Sequence, residues 1–140
     1  MQLIVVCGHN RAVQQRLASW QSAAPMPLLI YGFIETMPQL MQASDLLVSK
    51  AGGLTMMEAL AMGMPMVLYG NIPGQEEMNA RFVAAHGAGV IARTVRDVER
   101  ALGALLENPA ALTAMRQHAE ALSRPHAAQA IVEQCVMEPR

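Results

Sequence analysis

Ser44-Asp45-Leu46-Leu47-Val48-Ser49-Lys50-Ala51-Gly52-Gly53-Leu54-Thr55-Met56-Met57-Glu58-Ala59-Leu60-Ala61 is the stretch that decides the fold. An apolar strand, Leu46 to Ser49, runs into a polar turn with two glycines, and the turn opens directly into a helix. Gly52 and Gly53 leave backbone N–H groups uncovered at the helix start, where the macrodipole is positive. That arrangement suits an anion, most often a phosphate. Glu58 follows Thr55 by three residues and shares its face. Flanked by Met56, Met57, Leu60 and Met62, its carboxylate would be costly to bury without a donor, and a ribose diol is one candidate. Alternatively the glycine pair only solves a tight turn. The stretch lacks the Gly-Lys-Ser/Thr ending of a Walker loop and is not a GxGxxG dinucleotide fingerprint.

Working outward, 140 residues suit one domain with a real core. A net charge of −1 gives no electrostatic case for nucleic acid. No stretch reaches the roughly 18 apolar residues of a membrane span. Met1 to Gly8 has no basic region, so it reads as a buried strand rather than a signal peptide. Cys7 and Cys135 have no CxxC or metal spacing and read as core thiols in a reducing cytoplasm. His9, His86, His118 and His126 offer no ligand pair at helical spacing, so no metal site is expected. Twelve methionines with few aromatics suggest an adaptable core or an apolar contact surface, the core being the expected use.

Along the chain, Gln2 to Cys7 reads as a strand, and Asn10 caps a helix over residues 11 to 22 with Val13, Leu17 and Trp20 on one face. Pro25 and Pro27 end it before a second strand, Leu28 to Tyr31. Thr36 caps a short helix with Pro38 in its first turn and Leu40 and Met41 inward. After the glycine turn, a helix from Leu54 to Met62 is stopped by Gly63 and Pro65. A strand follows at Met66 to Tyr69, then a helix over residues 75 to 86 and a short strand at Gly89 to Ala92. Thr94 and Asp97 form a capping box for a helix that turns Val98, Ala101, Leu102, Leu105 and Leu106 inward. Asn108-Pro109 starts another, with Leu112, Met115, Ala119 and Leu122 inward. A last helix runs from about His126 to Val136 and carries Ala130, Ile131 and Cys135. Short apolar strands alternating with helices predict an α/β protein, a parallel sheet with helices on both faces. Ligands bind such sheets at the carboxyl ends of the strands, where Gly8-His9-Asn10, Gly32-Phe33-Ile34, Ser49 to Gly53 and Gly70 to Asn79 all fall.

The segments "VCGHN", "YGFIETMPQLMQASDLLVSKAGGLTMMEALAMGMPMVL" and "IPGQEEMNARFVAAHGAGV", in this order and spacing, closely resemble the C-terminal half of GT-B glycosyltransferases of the family 28 type. These include monogalactosyl- and glucosyl-diacylglycerol synthases and the GlcNAc transferase of peptidoglycan synthesis, and "GQEEMNA" is more similar to the diacylglycerol group. The resemblance implies a Rossmann-like sheet and a UDP-sugar donor. It implies that Phe33 and Ile34 take the uracil, that Ser49 and Gly52, Gly53, Leu54 and Thr55 hold the diphosphate, and that Glu58 accepts from the ribose hydroxyls. Gln75 and Glu76 would contact the sugar hydroxyls, and Asn79 the phosphates or the sugar. Amide and carboxylate pairs suit polyols because each presents several directional partners. Plainer readings stand beside these: Phe33 as core, Glu76 and Glu77 as solvated charges at a helix start, Asn79 as exposed, Lys50 as a surface lysine, His9 as a structural cap.

The same resemblance implies a single partial domain over residues 1–140. The N-terminal domain that supplies the acceptor site and general base in the family has no counterpart here. Nor does a first, central strand with its own glycine-rich turn, expected before Gln2–Cys7. Without it the strands at Gln2–Cys7 and Leu46–Ser49 would flank a gap, closed by direct pairing or by another chain. Marginal stability, with self-association or a co-purifying partner, is the expectation. The implied function is the donor-binding portion of an inverting transferase that passes a hexose to a lipid acceptor such as diacylglycerol. The acceptor would be reached through the missing domain or a partner chain. The alternatives are a non-catalytic donor-binding subunit and a fragment resembling a UDP-GlcNAc 2-epimerase. No cofactor and no nucleic acid are implied. A cytoplasmic location follows, peripheral at the inner membrane face for the whole enzyme.

Overall fold

The computed structural model describes residues 1–137, in two compact units, Met1–Met37 and Pro38 onward. In the first, β1 (Leu3–Val6) and β2 (Leu28–Tyr31) pair in parallel, from Leu3 opposite Leu28 to Val6 opposite Tyr31. The crossover helix α1 (Arg11–Gln21) starts where Asn10 Oδ1 accepts from the Val13 N–H at 3.1 Å. The expected inward face of α1 is not realised: Val13 and Trp20 are exposed and no α1 residue is buried. A unit of this size encloses too little volume for a core of its own. The Arg16 guanidinium lies 5.7 Å from the centroid of the exposed indole.

The second unit holds the core. It takes in α2 (Met37–Gln42) from Pro38 on and continues through β3 (Leu47–Ser49), α3 (Gly53–Ala61), β4 (Met66–Tyr69), α4 (Gln75–Ala85) and β5 (Gly89–Ala92). It ends with α5 (Val95–Glu107), α6 (Pro109–Leu122), α7 (Ala127–Val132) and a π-helical turn at Glu133–Met137. The sheet order is β3-β4-β5, all parallel, with Leu47 opposite Met66 and Met66 opposite Gly89. β4 is central and its Met66, Val67 and Leu68 are buried, which explains why it reads as a continuous apolar run. On one face Val67 and Ala92 pack with Leu105 of α5 and Met115 of α6. Glycine is needed at residue 89 for packing: a Cβ there would lie 2.8 Å from Val83 Cγ1 and 2.9 Å from the Met66 carbonyl oxygen.

The capping box at Thr94 and Asp97 is formed, both reciprocal hydrogen bonds being present. Leu106, expected inward, is exposed. Eight residues on from Val98 it is rotated by about 80° from that side chain, whereas Leu105 is only about 20° away. The thiols differ from expectation: Cys7 is half-buried and Cys135 exposed, so neither belongs to the core. The expected C-terminal helix is α-helical only through Val132 and then widens, in a segment where Ala127 through Cys135 are all exposed and no packing fixes the pitch. Among the described residues β1 pairs only with β2 and β3 only with β4, so each of the two sheets ends in an open edge at those strands. No helix of the described residues is long and apolar enough to cross a membrane.

Asn108 closes α5 and caps α6, its Oδ1 accepting from the Ala111 N–H at 3.1 Å. Asn108→Ala should lower unfolding stability by about 1 kcal/mol, the usual cost of losing such a cap. A urea midpoint equal to that of the unaltered chain would show that the cap contributes nothing.

Candidate functional site

The parallel ladder between β3 and β4 delivers two loops to the same end of the second sheet. Lys50-Ala51-Gly52 leaves β3, and Gly70-Asn71-Ile72-Pro73-Gly74 leaves β4. Gly52 is the N-cap of α3, with φ −63° and ψ 137°, and no side chain caps the helix. Its conformation is open to any residue, so the glycine matters for its bareness. A Cβ on Gly52 would meet nothing within 4 Å. The first N–H groups of α3 therefore have no capping side chain, at the positive end of the helix dipole.

Around this bare terminus stand residues from the second loop and α4. Gly74 precedes α4 with φ 103° and ψ −123°, a conformation essentially restricted to glycine. The Gln75 amide nitrogen lies 4.0 Å from where a Cβ on Gly53 would sit, so its side chain borders the turn. Glu76 is tied on both oxygens: Lys50 Nζ donates to Oε1 at 2.6 Å and the Ile72 N–H donates to Oε2 at 3.0 Å. The Lys50 hydrogen bond first, and the Ile72 N–H second, hold its carboxyl below the usual glutamate range. Lys50 is thus neither an idle surface lysine nor, in this arrangement, free for an anion. Asn79 is not an exposed polar residue, because its Nδ2 donates to the Ala51 carbonyl at 3.0 Å. Asn71, which the motif reading passed over, accepts the Ala51 N–H on Oδ1 at 2.7 Å.

The other expected residues make none of these hydrogen bonds. Glu58 is exposed, as is the neighbouring Met57, so the expected cost of burying it does not arise. Leu54 projects outward at 84% exposure, which leaves its backbone N–H as its contribution to the turn. Ser49 and Thr55 are half-buried. In the first unit Phe33 is not core: it is 59% exposed, and its ring stacks on His9 with centroids 4.4 Å apart and planes at 8°. His9 thus serves as a stacking partner, a role its sequence neighbourhood did not signal. Ile34 is half-buried. A shallow cavity of about 320 Å³ lined by Val90, Ile91, Ala101 and Leu105 shares no residue with these clusters. Among the described residues no group of three His, Cys, Asp or Glu side chains is placed to hold a metal ion.

Residues 1–136 match the model of the glycosyltransferase family 28 C-terminal domain. The chain is 35% identical over 136 residues to a processive diacylglycerol beta-glucosyltransferase of Bacillus pumilus, covering 97% of this chain and 36% of that protein. A protein of the same description from Bacillus cereus is 34% identical over 138 residues, again with 36% of its length covered. The chain therefore spans about a third of the curated relatives it matches. Among solved structures, MurG of Acinetobacter baumannii superposes with a TM-score of 0.77 at 23% identity, over 98% of this chain and 50% of MurG. The Streptomyces glycosyltransferase SsfS6, complexed with thymidine diphosphate, gives 0.59 at 23% identity, over 96% of this chain and 41% of that one. Both likenesses concern the fold, the Rossmann-like parallel architecture of the C-terminal half of GT-B glycosyltransferases. By its motifs, its fold and its match over nearly the whole length, the chain belongs to the glycosyltransferase family 28 C-terminal domain family.

Proposed function

We propose that this chain is the UDP-sugar-binding portion of an inverting glycosyltransferase that passes a hexose to a lipid acceptor such as diacylglycerol. The observation that carries the reading is the uncapped start of α3, open above Gly52 and bordered by Gln75, with Glu76 tied to Lys50 of the same turn. The kinship with diacylglycerol glucosyltransferases supports the choice of acceptor. In this reading the diphosphate lies on Ser49 and the N–H groups of Gly52, Gly53, Leu54 and Thr55. Phe33 and Ile34 take the uracil, Glu58 accepts from the ribose hydroxyls, and Gln75 and Glu76 face the sugar. An acceptor hydroxyl forms a new bond to the anomeric carbon while the bond from that carbon to the UDP oxygen breaks. The helix N–H groups stabilise the charge gathering on the departing diphosphate. A general base outside this chain takes the hydroxyl proton. The enzyme would work in the cytoplasm, against the inner membrane face where its acceptor lies.

A second reading, a donor-binding subunit that works with a separate chain, is supported by the open edges of β1 and β3. Unpaired strand edges recruit other strands. Sedimentation of the purified chain should accordingly reveal self-association or a bound partner. A stable monomer across micromolar concentrations, with cooperative unfolding, would count against that expectation.

UDP should bind in preference to ADP and GDP, weakly, at about 0.1–1 mM. Glu58→Ala should weaken UDP by about 1–3 kcal/mol. Since Glu58 is exposed, stability should change by no more than about 0.5 kcal/mol. Titration showing equal affinity for all three nucleotides would remove the uracil assignment, and an unaltered UDP affinity in the variant would remove the ribose role.

Gly52→Ala separates ligand space from folding. The added methyl meets no protein atom and the backbone angles are ordinary, so stability should stay within about 1 kcal/mol. UDP affinity should fall at least about tenfold, since the methyl would stand where the phosphates approach. Full UDP binding by this variant would place the diphosphate elsewhere.

A further inference from the structure

We propose that Asn71 and Asn79 are positioning residues that clamp the two peptide groups of Ala51 and so aim the Gly52 N–H at the diphosphate before any ligand arrives. The inference rests on the nucleotide-sugar reading above and assigns these asparagines a role other than touching the donor. Ala51 is fully buried, and it lies after the last residue of β3 and before the first of α3. Neither the ladder nor the helix supplies partners for its backbone, and a buried peptide group needs one. Both partners come from the segment that follows β4. Asn71 Oδ1 accepts the Ala51 N–H at 2.7 Å, and Asn79 Nδ2 donates to the Ala51 carbonyl at 3.0 Å. The amide orientations are forced, since a backbone N–H only donates and a carbonyl only accepts.

Peptide planarity turns these bonds into aim. The Ala51 carbonyl and the Gly52 N–H belong to one trans peptide and point in opposite directions. With Asn79 holding the carbonyl, the Gly52 N–H is turned away from Asn79. The Ala51 N–H belongs to the preceding peptide, so Asn71 fixes that plane too and sends the Lys50 carbonyl away from itself. Two consecutive planes are thereby set at the entrance to α3, where no side chain caps the helix and the space over Gly52 is open. Preorganised donors of this kind need no rearrangement when charge arrives.

The test uses the 140-residue chain, amide hydrogen exchange read by NMR, and UDP titration followed by chemical shifts. In Asn71→Ala the Ala51 amide should exchange at least about tenfold faster, while Val67 and Leu68 in β4 keep their protection. Asn71→Asp retains an acceptor and should keep the Ala51 amide protected. UDP affinity should fall about tenfold or more in Asn71→Ala and in Asn79→Ala, and the double variant should be little weaker than either single one, because the two bonds act on one turn. Unchanged Ala51 exchange in Asn71→Ala, or equal loss of protection in Asn71→Asp, overturns the clamp. So does lost protection with UDP affinity unaltered, or additive losses in the double variant. A wild-type chain that binds no UDP instead removes the nucleotide reading, and the diphosphate purpose of the clamp with it.

Discussion

β4 is held on both sides by parallel strands, and Met66, Val67 and Leu68 are sealed from solvent. Everything described at the glycine turn depends on that pairing. Parallel strands end on the same side, so the segment leaving β3 and the segment leaving β4 must emerge together. The register from Leu47–Met66 to Ser49–Leu68 then sets how far apart they start. From there a short asparagine side chain reaches Ala51, and the longer Lys50 reaches Glu76. A register slip of one residue would reverse which side chains of β3 face the core and carry the turn out of reach of both.

Much of the architecture was legible because it rests on local chemistry. The strands at Leu28–Tyr31, Met66–Tyr69 and Gly89–Ala92 coincide with the apolar runs that announced them. Asn10, Thr94 with Asp97, and Asn108 cap the helices they were read as capping. The glycine turn and its bare helix start were equally visible. What stayed hidden depends on distance. Asn71 acts on a residue twenty positions earlier, and nothing in its own neighbourhood marks it beyond its place just after a strand. The Lys50–Glu76 pair spans a similar separation. The burial of Glu58 was overestimated because its methionine neighbours suggest a core, yet Met57 beside it is itself half in solvent. The face of α1 was misjudged because periodicity reports which side is apolar but not whether enough protein exists to cover it.

Electrostatically the turn is already balanced. Lys50 and the start of α3 are positive and Glu76 is negative, with Lys50 spending its charge on Glu76. The carboxyl is held below its ordinary range by those partners, so the pair survives acidification further than a free glutamate would. Its contribution is complete above the ordinary glutamate range and is lost as pH falls through the lowered value. An arriving polyol must share Glu76 with Lys50 and the Ile72 N–H, which restricts the directions from which a hydroxyl can be accepted.

Gly74 carries a different kind of information. With φ 103° and ψ −123°, it sets the angle at which α4 departs from the loop. Gln75, Glu76 and Asn79 all ride on that helix, so the placement of each depends on one backbone torsion pair as well as on its own rotamer. The three side chains therefore behave as teeth on a single key. A change of residue at the bow would turn all of them together, while a change at any tooth leaves the others aligned.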